Sequence, residues 1–105
     1  MDENKLQEMQ ILEQRLQNSM LQKQAFQMEL AETGSALREL EKSGEEVYKI
    51  IGQLMIKTEK NKIHEELLSK QKILELRIKS LEKQETSFSE KLEKIRDELT
   101  KSEKK

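Results

Sequence analysis

Helical periodicity holds throughout this chain except at one stretch, Val47-Tyr48-Lys49-Ile50-Ile51-Gly52-Gln53-Leu54-Met55-Ile56-Lys57. Eight of its eleven residues are apolar or Gly, and a Gly-Gln pair sits in the middle. Gly at the first central position is what a type II′ two-residue turn needs, because that residue takes φ > 0. The expected element is a β-hairpin, Val47–Ile51 turning through Gly52-Gln53 into Leu54–Lys57. Pairing then sets Ile51 opposite Leu54, Ile50 opposite Met55, Lys49 opposite Ile56 and Tyr48 opposite Lys57. One face carries Val47, Ile51, Leu54 and Ile56, and the other carries Tyr48, Ile50 and Met55. Both faces are apolar, and a lone two-stranded hairpin is at best marginal in water. Leaving such side chains wet forgoes about 1.5–3 kcal/mol each. Two flanking helices can cover little of this surface, so its cover is expected from other chains.

The flanks read as long helices. The 105 residues include no Pro and three Gly, 39% are charged and 33% hydrophobic. That composition, rich in Gln, Lys, Glu and Leu, belongs to coiled coils rather than to a globular core. One structural unit is expected over residues 1–105. Cysteine is absent, which rules out a disulfide framework and a thiolate metal site. No stretch approaches the roughly 20 apolar residues of a membrane span, and the acidic start Met1-Asp2-Glu3-Asn4 is unlike a signal peptide. With a net charge of −1 there is no electrostatic footprint for nucleic acid. Residues 1–46 hold 5 basic and 10 acidic side chains, whereas residues 47–105 hold 15 and 11. That bias either favours pairing of the two helices or reflects two solvated faces.

Asn4 and Gln7 form a start signal of the capping-box type. Helix 1 is expected over residues 4–43, closed at Ser43-Gly44 with Gly44 as the left-handed cap residue. Its heptad a positions are Met9, Leu16, Lys23, Leu30 and Leu37, and its d positions Leu12, Ser19, Phe26, Thr33 and Leu40. Helix 2 is expected over residues 60–102, capped by Thr58 or Asn61, with a tail from Lys101 to Lys105 that frays. Its a positions are His64, Gln71, Ile78, Glu85, Leu92 and Leu99, and its d positions Leu67, Leu74, Leu81, Phe88, Ile95 and Ser102. Folded back antiparallel so that paired residue numbers add to 104, the seams match. Met9 meets Ile95, Leu12 meets Leu92, Leu16 meets Phe88, Phe26 meets Ile78, Leu30 meets Leu74 and Leu37 meets Leu67. Polar breaks coincide at Ser19 with Glu85 and Thr33 with Gln71, and matched polar layers specify register. Lys23 falls beside Leu81 and near Glu85, where its stem packs and its ammonium reaches out. The midpoint of this register is Gly52, so helix pairing and hairpin turn agree.

No catalytic constellation stands out, and an enzyme is not expected. The single histidine, His64, sits on the seam opposite Leu40 and reads as a core-edge residue. No Gly-rich phosphate loop is present, and no cofactor or metal is expected. Glu45-Glu46 and Glu65-Glu66 read as solvated or helix-start acids. Met20 and Met28 lie off the seam with Leu21 and Ile11. They either flank the core or offer a soft, adaptable surface to variable partners.

The run at 47–57 closely resembles the hairpin of prefoldin beta-type subunits. Gln27-Met28-Glu29-Leu30 and Ala36-Leu37-Arg38-Glu39-Leu40-Glu41 resemble the end of that family's first helix, and Leu81-Glu82-Lys83-Gln84-Glu85 its second. Gly34 departs from the helix formers usual there, and the lack of long tails resembles an archaeal subunit. The resemblance implies a mainly α fold, an antiparallel two-helix coiled coil whose hairpin joins an intersubunit β-barrel. It implies an ATP-independent cytoplasmic chaperone, a hetero-hexamer of two alpha and four beta subunits. The complex would bind non-native proteins at its coiled-coil tips and deliver them to a group II chaperonin. Val47, Tyr48, Ile50, Ile51, Leu54, Met55 and Ile56 would serve assembly.

Helices of this length make an arm on the order of 60 Å, with the hairpin at one end and both termini at the other. The seam is expected to open at that far end, where helix ends fray. Leu6, Met9, Ile11 and Leu12 of helix 1, with Ile95 and Leu99 of helix 2, are the expected client contacts. Leu6 and Ile11 lie off the seam, whereas Leu12 and Ile95 equally fit the last core layers. The competing reading is a structural or adaptor coiled coil with the hairpin as its oligomerisation device.

Overall fold

The computed structural model describes residues 3–103. The acidic start Met1-Asp2 and the tail residues Lys104-Lys105 lie outside them. The order is α1 (Glu3–Lys42), β1 (Glu46–Ile51), β2 (Leu54–Glu59) and α2 (Lys60–Glu103), so the chain is mainly helical with one hairpin between two long helices. Helices of 40 and 44 residues follow from the absence of Pro and from seams of Leu, Ile and Phe at heptad spacing. Helix α1 runs through Gly34 without interruption. One Gly costs about 1 kcal/mol against Ala, too little to break a helix held by its seam on both sides.

The hairpin has the expected register, with Tyr48↔Lys57, Lys49↔Ile56, Ile50↔Met55 and Ile51↔Leu54. Gly52 has φ 60, and no other described residue has positive φ. A type I′ turn needs two such residues, so the geometry is that of II′, with Gln53 on the ordinary side. The strands run further than expected, adding Val47↔Thr58 and Glu46↔Glu59. The like charges of that last pair are relieved diagonally, Glu46 Oε1 lying 3.7 Å from Lys57 Nζ.

Two end signals resolve differently from expectation. Gly44 is not left-handed. Ser43 closes α1 instead, its backbone N–H donating to the carbonyls of Glu39 (3.1 Å) and Leu40 (3.2 Å) and its hydroxyl to Leu40 O at 2.7 Å. Lys60 Nζ then donates to Ser43 O at 2.8 Å. With the last carbonyls engaged by Ser43, no left-handed residue is needed. Neither Thr58 nor Asn61 caps α2, because Thr58 is held in the strand and Asn61 lies inside the helix. Strand β2 passes straight into α2, which leaves Glu59 at the cap position, where acid is favourable. Helix α2 continues through Lys101 to Glu103.

Close packing divides the chain into two compact units, residues 1–25 with 77–105 and residues 26–76. In the first, Leu12, Leu92 and Ile95 form a buried cluster with Met9, Leu16, Phe88 and Leu99 against it, which is the expected seam register. Lys5 Nζ pairs with Glu98 Oε2 at 3.0 Å, Lys23 Nζ with Glu85 Oε2 at 2.9 Å, and Arg96 with Glu13 at 3.8 Å. Partner numbers fall as α1 numbers rise, so the helices run antiparallel. Two of these three pairs join a basic α1 residue to an acidic α2 residue. These two run against the charge bias between the two halves of the sequence.

Hydrogen bonds in the polar layers follow what each side chain can reach. The Ser19 hydroxyl donates to Gln84 Oε1 at 3.3 Å rather than to Glu85. Lys23 has drawn the Glu85 carboxylate to itself in a charge-assisted bond. In the second unit Leu37, Leu40, Val47 and Leu74 are buried. Thr33 is buried there too, but its hydroxyl bonds back to Glu29 O at 2.8 Å and not to Gln71. A buried hydroxyl is satisfied most cheaply by its own helix.

The two glycines give a test of these turns. Gly52→Ala is expected to lower stability by at least about 1 kcal/mol, since an L residue is strained at positive φ. Gly44→Ala, with nothing within 4 Å of its added Cβ, is expected to leave stability unchanged or raise it by up to about 1 kcal/mol. Thermal unfolding of the two variants checks the contrast.

Candidate functional site

Two surfaces are candidates, one in each compact unit. In the second unit the hairpin stands largely uncovered. Val47, which points at the helices, is 9% exposed, whereas Tyr48, Ile50, Ile51, Leu54, Met55 and Ile56 range from 45% at Ile56 to 70% at Ile50. Of the seven residues expected to serve assembly, one is thus buried within the chain and six are exposed. Only Val47 of the hairpin is buried by the helices, and the apolar side chains nearer the turn keep most of their exposure. Lys49 Nζ reaches Glu66 Oε2 of α2 at 3.1 Å and ties the sheet to that helix.

A groove of about 650 Å³ opens beneath the hairpin. Ala36 and Leu40 of α1, Ile63 and Leu67 of α2, and Val47, Tyr48, Ile50 and Met55 of the hairpin line it. A smaller cleft holds half-buried His64 with Leu40, Glu41, Lys60 and Asn61. His64 thus faces the Leu40 edge, as the register requires. Among the described residues no group of three or more His, Cys, Asp or Glu could hold a metal ion, and no helix is long and apolar enough to cross a membrane.

The chain matches a family model described as Prefoldin subunit over residues 3–105. The chain belongs to the prefoldin subunit family. It is 43% identical over 89 residues to prefoldin subunit beta of Thermococcus onnurineus (strain NA1), covering 83% of this chain and 77% of that one. To prefoldin subunit beta of Pyrobaculum calidifontis it is 35% identical over 88 residues, covering 82% and 70%. The crystal structure of the prefoldin beta subunit from Thermococcus strain KS-1 superposes with a TM-score of 0.86 at 37% identity, over 94% of this chain and 89% of that one. The resemblance read from residues 47–57 therefore extends to the whole fold, and the chaperone role of a prefoldin beta-type subunit goes with it.

The second surface lies in the first unit. The six residues named as client contacts behave in three ways. Ile11 is 53% exposed, while Leu12 is 6% exposed and Ile95 is likewise buried. Met9 and Leu99 are half-buried against the same cluster, and Leu6 is half-buried. Leu12 and Ile95 are core layers in the closed seam because they stand at d positions facing the other helix. Off-seam Met20, Leu21 and Met28 are exposed, as their positions imply. Sequence reasoning passed over Leu68, Ile73 and Leu76, also exposed. Their signal was available, since all three are apolar residues at e, c and f positions of α2.

Leu12→Ala is expected to cost about 2–5 kcal/mol of stability. Its neighbour Ile11→Ala should stay within about 0.5 kcal/mol of the parent. Denaturant unfolding of both variants separates the core residue from the surface one.

Proposed function

We propose that the 105 residues act as one functional unit, a beta-type subunit of a cytoplasmic hetero-hexameric prefoldin. In this reading two alpha and four beta subunits join through their hairpins in intersubunit β-barrels. The complex holds non-native proteins without ATP and passes them to a group II chaperonin. The observation that carries the assembly part is the hairpin, with six large apolar side chains exposed and one packed. At about 1.5–3 kcal/mol for each side chain buried, covering these six is a strong drive to associate. The unpaired outer edges of the two-stranded sheet supply the backbone donors and acceptors with which further strands pair.

Client holding is assigned to the start of α1 and the end of α2. Ile11 is exposed there, and Leu6, Met9 and Leu99 are half-buried. Holding an unfolded chain needs no nucleotide, only a surface that binds it in preference to the folded state. Contacts weak on each arm gain strength through effective concentration when several arms act together.

Assembly is tested by Ile50→Lys and Ile56→Asp, each of which places an unpaired charge in the interface, a costly change. The expected outcome by light scattering is loss of the oligomer with much of the helical signal retained. An unchanged oligomer in both variants would move assembly away from the hairpin. Client holding is tested by deleting residues 1–11 together with 97–105. The truncated protein is expected to assemble normally but to suppress aggregation of a denatured client less well. Equal suppression would place the client site elsewhere, with exposed Met20 and Met28 the next residues to vary.

A further inference from the structure

Between the apolar cluster of the first unit and the rest of its seam lies a polar layer, Ser19 and Lys23 of α1 with Gln84 and Glu85 of α2. Lys23 and Glu85 both occupy heptad a positions, where an apolar residue would pack. Their side chains are only 22% and 19% exposed, so the pair is largely stripped of water. Glu85 Oε2 accepts from Lys23 at 2.9 Å. Glu85 Oε1 is shut from solvent with no hydrogen-bond partner among the described residues. A desolvated ion pair recovers its lost hydration only with full hydrogen bonding, which half of this carboxylate lacks. Parting the helices at this layer returns water to both charges. Parting them at the adjoining apolar residues, Phe88 and Leu92 on one side and Leu81 on the other, exposes buried hydrocarbon instead.

We propose that the Ser19–Gln84 and Lys23–Glu85 layer is a built-in weak point at which the first unit opens. It lets Leu12, Leu92 and Ile95 part as one group and be presented to an unfolded chain, and Leu81 beyond it stops the opening. The presentation step rests on the placing of clients at this end of the helices. A layer that served only as a key for register would leave client holding unchanged when the seam is tightened, and the two roles separate on that point.

The test is hydrogen exchange on the full-length assembled protein. Lys23→Leu with Glu85→Leu replaces the pair by hydrocarbon, a change that commonly stabilises when both partners are removed together. Amides in residues 6–18 and 86–99 are expected to exchange at least about tenfold more slowly, while those of strands 46–59 keep the parental rate. The exchanged pair Lys23→Glu with Glu85→Lys keeps a polar layer and is expected to retain parental rates throughout. Exchange in the Leu variant at the parental rate or faster, or equal slowing in the exchanged pair, overturns the weak point. Such a failure leaves the client site untouched, because the terminal truncation tests that separately. With slower exchange, suppression of client aggregation is expected to fall. Undiminished suppression overturns the presentation of the opened cluster.

Discussion

A two-residue turn that demands positive φ at a single position governs this molecule. Once Gly52 takes that conformation, the strand before it and the strand after it have one pairing available. A shift by one residue would flip every side chain to the opposite face. The pairing brings Lys60 to the end of α1 and Lys49 to α2, and these contacts hold sheet and helices together. Because β2 passes into α2 without a linker, the phase of the second helix is inherited from the strand. The leucine seams therefore meet in a register that the turn has already chosen.

The parts legible in the sequence are those where a short-range rule has one solution. Gly52-Gln53 between two apolar runs has one hairpin, and all four strand pairs read from it are present. The Met9, Leu12 and Leu16 layers against Phe88, Leu92 and Ile95 follow from spacing alone. Side-chain bonds were less legible, because they depend on distances that spacing leaves open. Ser19 faces two adjacent residues of α2, and which of them it bonds depends on where Lys23 draws Glu85. Thr33 has a local carbonyl within reach and never needs Gln71. Gly44 carried a strong end signal, yet Ser43 reaches the orphan carbonyls first. Regional net charge does not single out the ion pairs, because these follow individual neighbours and not regional totals.

The two candidate surfaces differ in how they could be found. The hairpin surface announces itself as an excess of apolar residues with nothing in the chain to cover them. Residues at the other site look alike by type, and Leu12 and Ile11 are adjacent in sequence yet opposite in burial. Heptad position sorts them, but it does not say whether a buried layer stays buried. That depends on neighbouring layers, where a half-satisfied carboxylate and a well-packed leucine have opposite effects on opening.

The positions of Lys49 and Lys57 on the hairpin have a consequence for the newly made chain. A free subunit displays a hydrophobic strand pair with open edges, the kind of surface that promotes indiscriminate sheet stacking. Each lysine interrupts an otherwise apolar row, opposite Ile56 and Tyr48 respectively, and each is steered by a nearby glutamate, Glu66 or Glu46. They act as gatekeepers, because any wrong partner must bury or displace an ammonium group. A chain whose work is to keep others from clumping thus carries its own safeguard through the interval before it finds its proper companions.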